Sequence, residues 1–172
     1  AFLVNAEAPG VIAQWSAKKN VPFITYSTDY VFSPEHSLPQ TESEPTKAMN
    51  IYGESKLQGE KLVANARGRH LILRTSWVYS EHGTNFLKTM LNLAKEKETL
   101  KVVNDQVGAP TYAKDLSKET VAIVDKVLGS ETFTPGVYHA CNAGEVSWYG
   151  FAQAFFKYAA SQGVKFQLKS LI

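Results

Sequence analysis

The stretch that decides the fold is NIYGESK at residues 50–56, which places Tyr52 four positions before Lys56. Four residues make about one turn of an α-helix, so the phenol and the ammonium project from the same face. A free phenol has a pKa of about 10, and a cation held beside it lowers that pKa toward neutrality. The spacing therefore predicts an acid–base pair, although an amphipathic surface pair is the alternative interpretation of the motif alone.

Two apolar segments flank this predicted helix. FITYSTDY at residues 23–30 indicates a buried strand that ends in hydroxyl groups, and HLILRTS at residues 70–76 indicates a second strand. The order strand, loop, helix, strand is typical of a parallel sheet in an α/β protein. Because ligands bind at the carboxyl ends of such strands, Thr28 is expected to open onto the same crevice as Tyr52.

Hydrophobic periodicity predicts further elements on both sides of this unit. Residues 4–6 are expected to end a strand, and Ser147 is expected to cap a helix that runs to about residue 161. The other predicted helices cover residues 9–19, 49–66, 85–97 and 113–128. The other predicted strands cover residues 100–103, 136–141 and 164–168.

The composition is that of a soluble globular protein: of 172 residues, 44% are hydrophobic and 20% charged. The net charge of +2 argues against electrostatic binding to nucleic acid or to a membrane surface. The sequence contains no apolar run of the roughly 20 residues that span a bilayer, and its first residues lack a signal-peptide pattern. Cys141 is the single cysteine, which rules out an internal disulfide and suits the cytoplasm, the expected location.

Three motifs match a known family. YSTDYVF at residues 26–32, YGESKLQGE at residues 52–60 and LRTSWVY at residues 73–79 resemble the dTDP-4-dehydrorhamnose reductases. That family is part of the extended short-chain dehydrogenase/reductase superfamily, and the similarity continues through DQVGAPT at residues 105–111. The resemblance implies an α/β fold: a Rossmann-like, doubly wound parallel sheet with a small substrate-binding α/β subdomain.

The family's glycine-rich fingerprint, which lies in its first βα turn, does not occur in this sequence. The resemblance therefore implies the middle of a longer protein, with an incomplete sheet that lacks the N-terminal βα unit. It assigns residues 1–80 to the remainder of the dinucleotide-binding domain. Residues 81–172 are assigned to a mixed substrate-binding subdomain with returning Rossmann elements, and both parts belong to one truncated domain.

The activity implied by the resemblance is the NADPH- or NADH-dependent reduction of the C4 ketone of dTDP-4-dehydro-β-L-rhamnose. In this interpretation Tyr52 donates the proton, and Lys56 lowers the pKa of the phenol and holds the nicotinamide ribose. Thr28 hydrogen-bonds the reacting oxygen or the phenol and so tunes the match of their pKa values. No metal site is expected from the residues, and Mg²⁺ enters by family resemblance only. The expected partner is the nucleotide-sugar substrate, and a homodimer is compatible with the family.

The resemblance also implies residues that bind cofactor and substrate. Tyr26, Ser27 and Asn5 are expected to contact the cofactor together with Tyr52 and Lys56, although Asn5 is equally compatible with a plain loop position. The residues expected to contact the substrate are Thr28, Asp29 and Trp77.

Other side chains near these motifs have structural interpretations. Arg74, near the end of a predicted strand, is expected either to pair with a carboxylate of the core or to contact substrate. The aromatic residues between positions 148 and 158 have helical spacing. They are expected to pack in the core, because no basic patch accompanies them.

Three alternative functions remain open. A nucleotide-sugar epimerase shares the tyrosine–lysine pair, and a dehydratase typically carries an acidic residue beside the threonine, where Asp29 stands. A non-catalytic binding subunit, similar to the regulatory subunit of methionine adenosyltransferase, would retain the same fold. Trp77 and the pair Asp105 and Gln106 favour the reductase.

Overall fold

The computed structural model describes residues 1–33, 39–130 and 134–172. The helices in these ranges are α1 Ala8–Lys19, α2 Ile51–Asn65, α3 Phe86–Leu93, α4 Ala113–Gly129 and α5 Trp148–Ser161. The strands are β1 Phe23–Thr28, β2 His70–Thr75, β3 Val78–Tyr79, β4 Thr99–Leu100, β5 Val107–Gly108, β6 Thr111–Tyr112, β7 Gly136–His139, β8 Val146–Ser147 and β9 Ser170–Leu171. All five predicted helices are confirmed, with ends that shift by a few residues.

The chain forms two compact units. The first unit contains residues 1–75 and 118–140, and the second contains residues 76–117 and 141–172. The first unit thus includes a later segment that carries most of α4 and all of β7. The division near residue 80 that the family resemblance implies remains a prediction.

A parallel sheet with the strand order β1-β2-β7 forms the centre of the first unit. Successive side chains of a strand point to opposite faces, so β2 contributes to two hydrophobic clusters. Ile72 packs with Ala13 of α1 and Val63 of α2, whereas Leu71 and Leu73 pack on the other face with Val127 of α4. The sheet is thus covered by helices on both faces, which is the doubly wound arrangement.

The first residues do not end a strand, and the prediction for residues 4–6 is wrong. Leu3–Glu7 form a short π-helix that continues into α1. Leu3 is 68% and Val4 72% exposed, whereas Ala6 is fully buried. The segment therefore buries one small residue on one side of a helix, and its large apolar side chains are not buried as they would be in a core strand. Its backbone lies so close to α2 that a Cβ at Gly59 would overlap the carbonyl oxygen of Asn5.

The second unit is built around a cluster of apolar residues from α5 and from the segment between α3 and β4. Its buried members are Ala94, Leu100, Ala152, Phe155 and Phe156. Short two-stranded ladders surround it: β3 with β6 and β4 with β9 are parallel, and β5 with β8 is antiparallel. The helix cap predicted at Ser147 is confirmed, because its hydroxyl accepts a hydrogen bond from the amide of Gly150 at 3.0 Å.

The last predicted strand is misplaced. Residues 164–168 are not a strand, and the strand lies at Ser170–Leu171 instead. The amides of Gln167 and Leu168 both donate to the carbonyl of Ala94, at 2.9 and 3.2 Å, so they are not available to a sheet ladder. The strand predicted at residues 100–103 is likewise reduced to Thr99–Leu100.

Across the described residues, none of the helices combines the length and the apolar character that crossing a membrane requires.

Candidate active site

Helix α2 begins with a set of hydrogen bonds that fixes its first turn. The side chain of Asn50 caps the helix by accepting from the amide of Gly53 at 2.8 Å. The hydroxyl of Ser55 donates to the carbonyl of Tyr52 at 2.8 Å and accepts from Nδ2 of Asn5 at 3.0 Å. Asn5 therefore holds the first turns of α2 through Ser55, and its predicted contact with cofactor remains a prediction.

Lys56 follows Tyr52 by one helical turn, as the sequence predicted. Its ammonium group donates to the carbonyl oxygen of Tyr26 in β1 at 2.7 Å. Burial lowers the pKa of Lys56, and the nearby carboxylate of Glu60 partly opposes this shift. The cation is thus anchored to the backbone of the strand that precedes the helix.

The side chain of Tyr52 is accessible. It is 48% exposed, and its ring meets the ring of Tyr30 edge-on, with centroids 6.0 Å apart. Edge-on contact is a preferred geometry for two aromatic rings, so Tyr30 supports one side of the Tyr52 ring. This combination suits a group that must reach a bound substrate.

Thr28, the last residue of β1, is buried and fully engaged. Its hydroxyl accepts from the amide of Tyr30 at 3.2 Å and donates to the carboxylate of Asp29 at 3.1 Å. Burial raises the pKa of Asp29, and the hydrogen bond from Thr28 partly offsets that increase. The threonine and the carboxyl group therefore form a linked pair at the carboxyl end of the strand.

The two preceding residues of β1 differ in their contacts. The phenol oxygen of Tyr26 lies 2.6 Å from Oγ1 of Thr120 in α4, so the side chain of Tyr26 is already engaged. Ser27 is buried, and its hydroxyl has no hydrogen-bond partner within the described residues. A buried hydroxyl without a partner is costly, which makes Ser27 a position where a ligand would supply the missing bond.

A buried ion pair lies one turn beyond Lys56; the sequence suggested a core carboxylate as one possible partner of Arg74 but did not identify Glu60. Arg74 of β2 and Glu60 of α2 form two hydrogen bonds of 2.9 and 2.7 Å, and both side chains are only 6% exposed. The guanidinium also lies over the ring of Phe32, 4.8 Å from its centroid. Arg74 thus pairs with a core carboxylate, and the spacing of four residues from Lys56 to Glu60 was the available signal.

Trp77 lies in the second unit, whereas the other predicted site residues lie in the first. Its ring stacks on that of Trp148, with centroids 3.6 Å apart and planes inclined by 10°. Trp77 is half-buried and has a positive φ of 47°. The sequence assigned Trp148 to core packing, and its role as the stacking partner of Trp77 was missed.

Clusters of three or more His, Cys, Asp or Glu side chains able to hold a metal ion do not occur within residues 1–33, 39–130 and 134–172. The described residues therefore give no support to the Mg²⁺ that family resemblance suggested.

Comparison with known proteins decides the family. Residues 1–170 match the family model described as the RmlD substrate binding domain. The chain belongs to the RmlD family. This confirms the resemblance on which the expected fold and site residues rest.

The curated relatives of this RmlD chain are longer than the chain itself. It is 47% identical over 157 residues to dTDP-4-dehydrorhamnose reductase of Burkholderia thailandensis, covering 90% of this chain and 53% of the relative. It is 42% identical over 171 residues to dTDP-4-dehydrorhamnose reductase of Escherichia coli, covering 99% and 57%. The chain therefore spans about half the length of the curated relatives it matches.

A solved structure supports the same fold for the RmlD domain. The crystal structure of dTDP-4-dehydrorhamnose reductase from Bacillus anthracis in complex with NADP superposes with a TM-score of 0.88 at 35% identity. The superposition covers 100% of this chain and 57% of that chain. The predicted Rossmann-like α/β class with a parallel sheet is confirmed.

Proposed function

We propose that the full-length protein containing this chain catalyses the NADPH- or NADH-dependent reduction of the C4 ketone of dTDP-4-dehydro-β-L-rhamnose to dTDP-L-rhamnose. The observation that carries the proposal is the placement of Tyr52 and Lys56. The phenol is accessible, and the ammonium group one turn later is fixed by the carbonyl of Tyr26. Relatives named dTDP-4-dehydrorhamnose reductase, at 42% to 47% identity, support the substrate.

The residues at the end of β1 fit a nicotinamide cofactor. Ser27 offers a buried hydroxyl that has no hydrogen-bond partner among the described residues, and Lys56 offers an ammonium group beside the same strand. These two groups would hold the polar atoms of the nicotinamide and its ribose. A bound nicotinamide supplies the hydride that reaches C4 of the sugar.

The chain's own residues supply the proton. As negative charge develops on the ketone oxygen, Tyr52 donates its phenol proton to that oxygen, which leaves a hydroxyl group on C4. Lys56 stabilises the resulting phenolate by its positive charge, and the phenolate then takes a proton from solvent. On substrate binding the hydroxyl of Thr28 turns from the carboxylate of Asp29 and donates to the reacting oxygen instead. Contacts of Asp29 and of Trp77 with the sugar nucleotide are part of the same proposal.

The test is NADPH oxidation by the full-length protein with dTDP-4-dehydro-β-L-rhamnose. Tyr52→Phe is expected to lower kcat by a factor of about 10² to 10⁴, the usual contribution of a positioned acid. Tyr158→Phe is the matched control, because Tyr158 lies on α5 and is 68% exposed. Wild-type turnover by the Tyr52→Phe variant would refute the role of the phenol.

Asp29 favours a dehydratase as the second candidate. Burial raises the pKa of its carboxyl group, which is the direction that favours proton transfer, although the hydrogen bond from Thr28 partly opposes this rise. A dehydratase would release water from a dTDP-hexose without net consumption of NADPH. Analysis of the product by mass spectrometry therefore separates it from the reductase, and cofactor binding without any turnover would favour the binding subunit.

A further inference from the structure

Trp77 has a backbone conformation that a bulky residue seldom adopts. Its φ of 47° lies in the left-handed region, where the side chain crowds the backbone. Strain of this kind persists only where the surrounding structure enforces it. The contacts that enforce it in the second unit come from one short segment, residues 106–111, and from the start of α5.

Residues 106–111 hold both tryptophans by their backbones. The carbonyl of Trp77 accepts from the amide of Thr111 at 3.2 Å, and the amide of Trp148 donates to the carbonyl of Gln106 at 3.3 Å. Next to Trp77, the hydroxyl of Ser76 donates to the carbonyl of Ala109 at 2.7 Å. The same segment therefore fixes the two positions from which the indole rings project.

The ring of Trp77 is also confined directly. Trp148 stacks on it almost in parallel, at 3.6 Å between centroids. A Cβ at Gly108 would lie 2.6 Å from Cε2 and 2.8 Å from Cζ2 of Trp77, so only glycine leaves room for the ring in this orientation. Phe86 in turn packs on Trp148, with centroids 4.4 Å apart.

Core packing does not account for this arrangement. The core of the second unit is formed by buried residues such as Phe155 and Phe156, which are 8% and 9% exposed, whereas both indoles are only half-buried. A strained backbone that fixes a partly exposed aromatic ring is expected where the ring must be ready to bind.

We infer that Trp148 and Gly108 are positioning residues that fix the indole of Trp77 as a preformed wall for the sugar nucleotide. The inference rests on the proposed function, because it takes the ligand of Trp77 from that proposal. Fixing the ring before binding lowers the entropic cost of association, so the two residues act on affinity. They do not contact the reacting atoms and leave the chemical step unchanged.

The test uses Trp148→Leu in the full-length protein. The stacked indoles give an exciton couplet in the far-ultraviolet circular dichroism spectrum, and this variant is expected to lose it. KM for dTDP-4-dehydro-β-L-rhamnose is expected to rise about 3- to 10-fold, the effect of one lost aromatic contact, while kcat stays within about two-fold. Trp148→Phe retains a stacking ring and is expected to restore most of the affinity.

Two further variants separate positioning from general destabilisation. Gly108→Ala displaces the ring of Trp77 without removing any aromatic group, and is expected to raise KM in the same way. Phe166→Leu is the control: Phe166 packs on Phe156 in the core of the same unit, with centroids 5.4 Å apart. It is expected to lower Tm and to leave the couplet and KM unchanged.

The inference is overturned if Trp148→Leu and Gly108→Ala leave KM unchanged, or if they lower kcat at constant KM. If Trp148→Leu does not fold, Gly108→Ala decides the question in the same assays. If the wild-type protein does not turn over at all, the proposed function fails by itself. Calorimetric Kd values for dTDP-L-rhamnose with the same variants then still test the positioning roles.

Discussion

Replacing Arg74 by methionine removes one partner of the buried ion pair in the first unit. Arg74 and Glu60 are each 6% exposed and are joined by hydrogen bonds of 2.9 and 2.7 Å. Arg74→Met keeps most of the side-chain volume over Phe32 but leaves the carboxylate of Glu60 buried without its hydrogen-bonded cation. The expected cost is about 3–5 kcal/mol of unfolding free energy, because an uncompensated charge remains in the interior.

The double variant Glu60→Leu/Arg74→Met separates the value of the pair from the cost of breaking it. With both charges replaced by apolar groups of similar size, no buried charge is left unpaired. Substitutions of this type are often neutral or stabilising. We therefore expect the double variant to be more stable than Arg74→Met alone. If the two substitutions acted independently, their destabilising effects would add and the double variant would be the less stable one.

Urea unfolding of the full-length protein, followed by circular dichroism, measures these free energies. Lys169→Met is the matched control, because Lys169 and Glu98 form a pair at 2.6 Å whose side chains are 72% and 64% exposed. An exposed pair contributes about 0–1 kcal/mol, so this variant is expected to be nearly neutral. The reasoning is refuted if Arg74→Met costs no more than Lys169→Met, or if the double variant is less stable than Arg74→Met.

Two other predictions concern packing and pH. Gly59→Ala places a Cβ against the carbonyl of Asn5 and is expected to cost about 1–3 kcal/mol in thermal unfolding, whereas Gly129→Ala, with nothing within 4 Å, is expected to be nearly neutral. Burial lowers the pKa of His139 below its ordinary value of 6.5; the positive charge of Arg74 adds to this, and the carboxylates of Glu42 and Glu60 oppose it. The folded state therefore binds a proton less readily than the unfolded state, and stability present above pH 6.5 is lost as the pH falls. Urea unfolding from about pH 7.5 to about pH 5 is expected to show a shallower loss for His139→Gln than for wild type, and equal slopes would contradict this prediction.

The elements that the sequence predicts well are those whose pattern is local. The helix at residues 51–65 follows from its cap at Asn50 and from the spacing of Tyr52 and Lys56, and β1 and β2 follow from apolar runs bounded by polar residues. The error at residues 3–7 has a physical cause. Phe2, Leu3 and Val4 are apolar in succession like a strand, but the segment becomes helical by packing against Gly59, which lies more than 50 positions away.

The candidate site shows the same limit. The spacing of four residues made Tyr52 and Lys56 visible, because both groups lie on one helix. Trp77 and Trp148 stand 71 positions apart, and only the fold brings their rings together. The ladders that hold them contain two residues per strand, too short for a periodicity to be recognised, and they are stabilised by the packing around them.

Helix α2, which carries Tyr52 and Lys56, is held in place largely by polar contacts. Its buried face consists largely of small residues, among them Ser55 and Gly59, together with the carboxylate of Glu60. Apart from the packing of Val63, such a face gives little hydrophobic stabilisation, so the hydrogen bond from Asn5 and the ion pair with Arg74 help to fix the helix on either side of Lys56. These contacts are directional, unlike apolar packing, and they set the rotation of α2 as well as its distance from the sheet. Replacing them by apolar groups of equal volume can therefore preserve stability and still misplace Tyr52 relative to the substrate proposed for it.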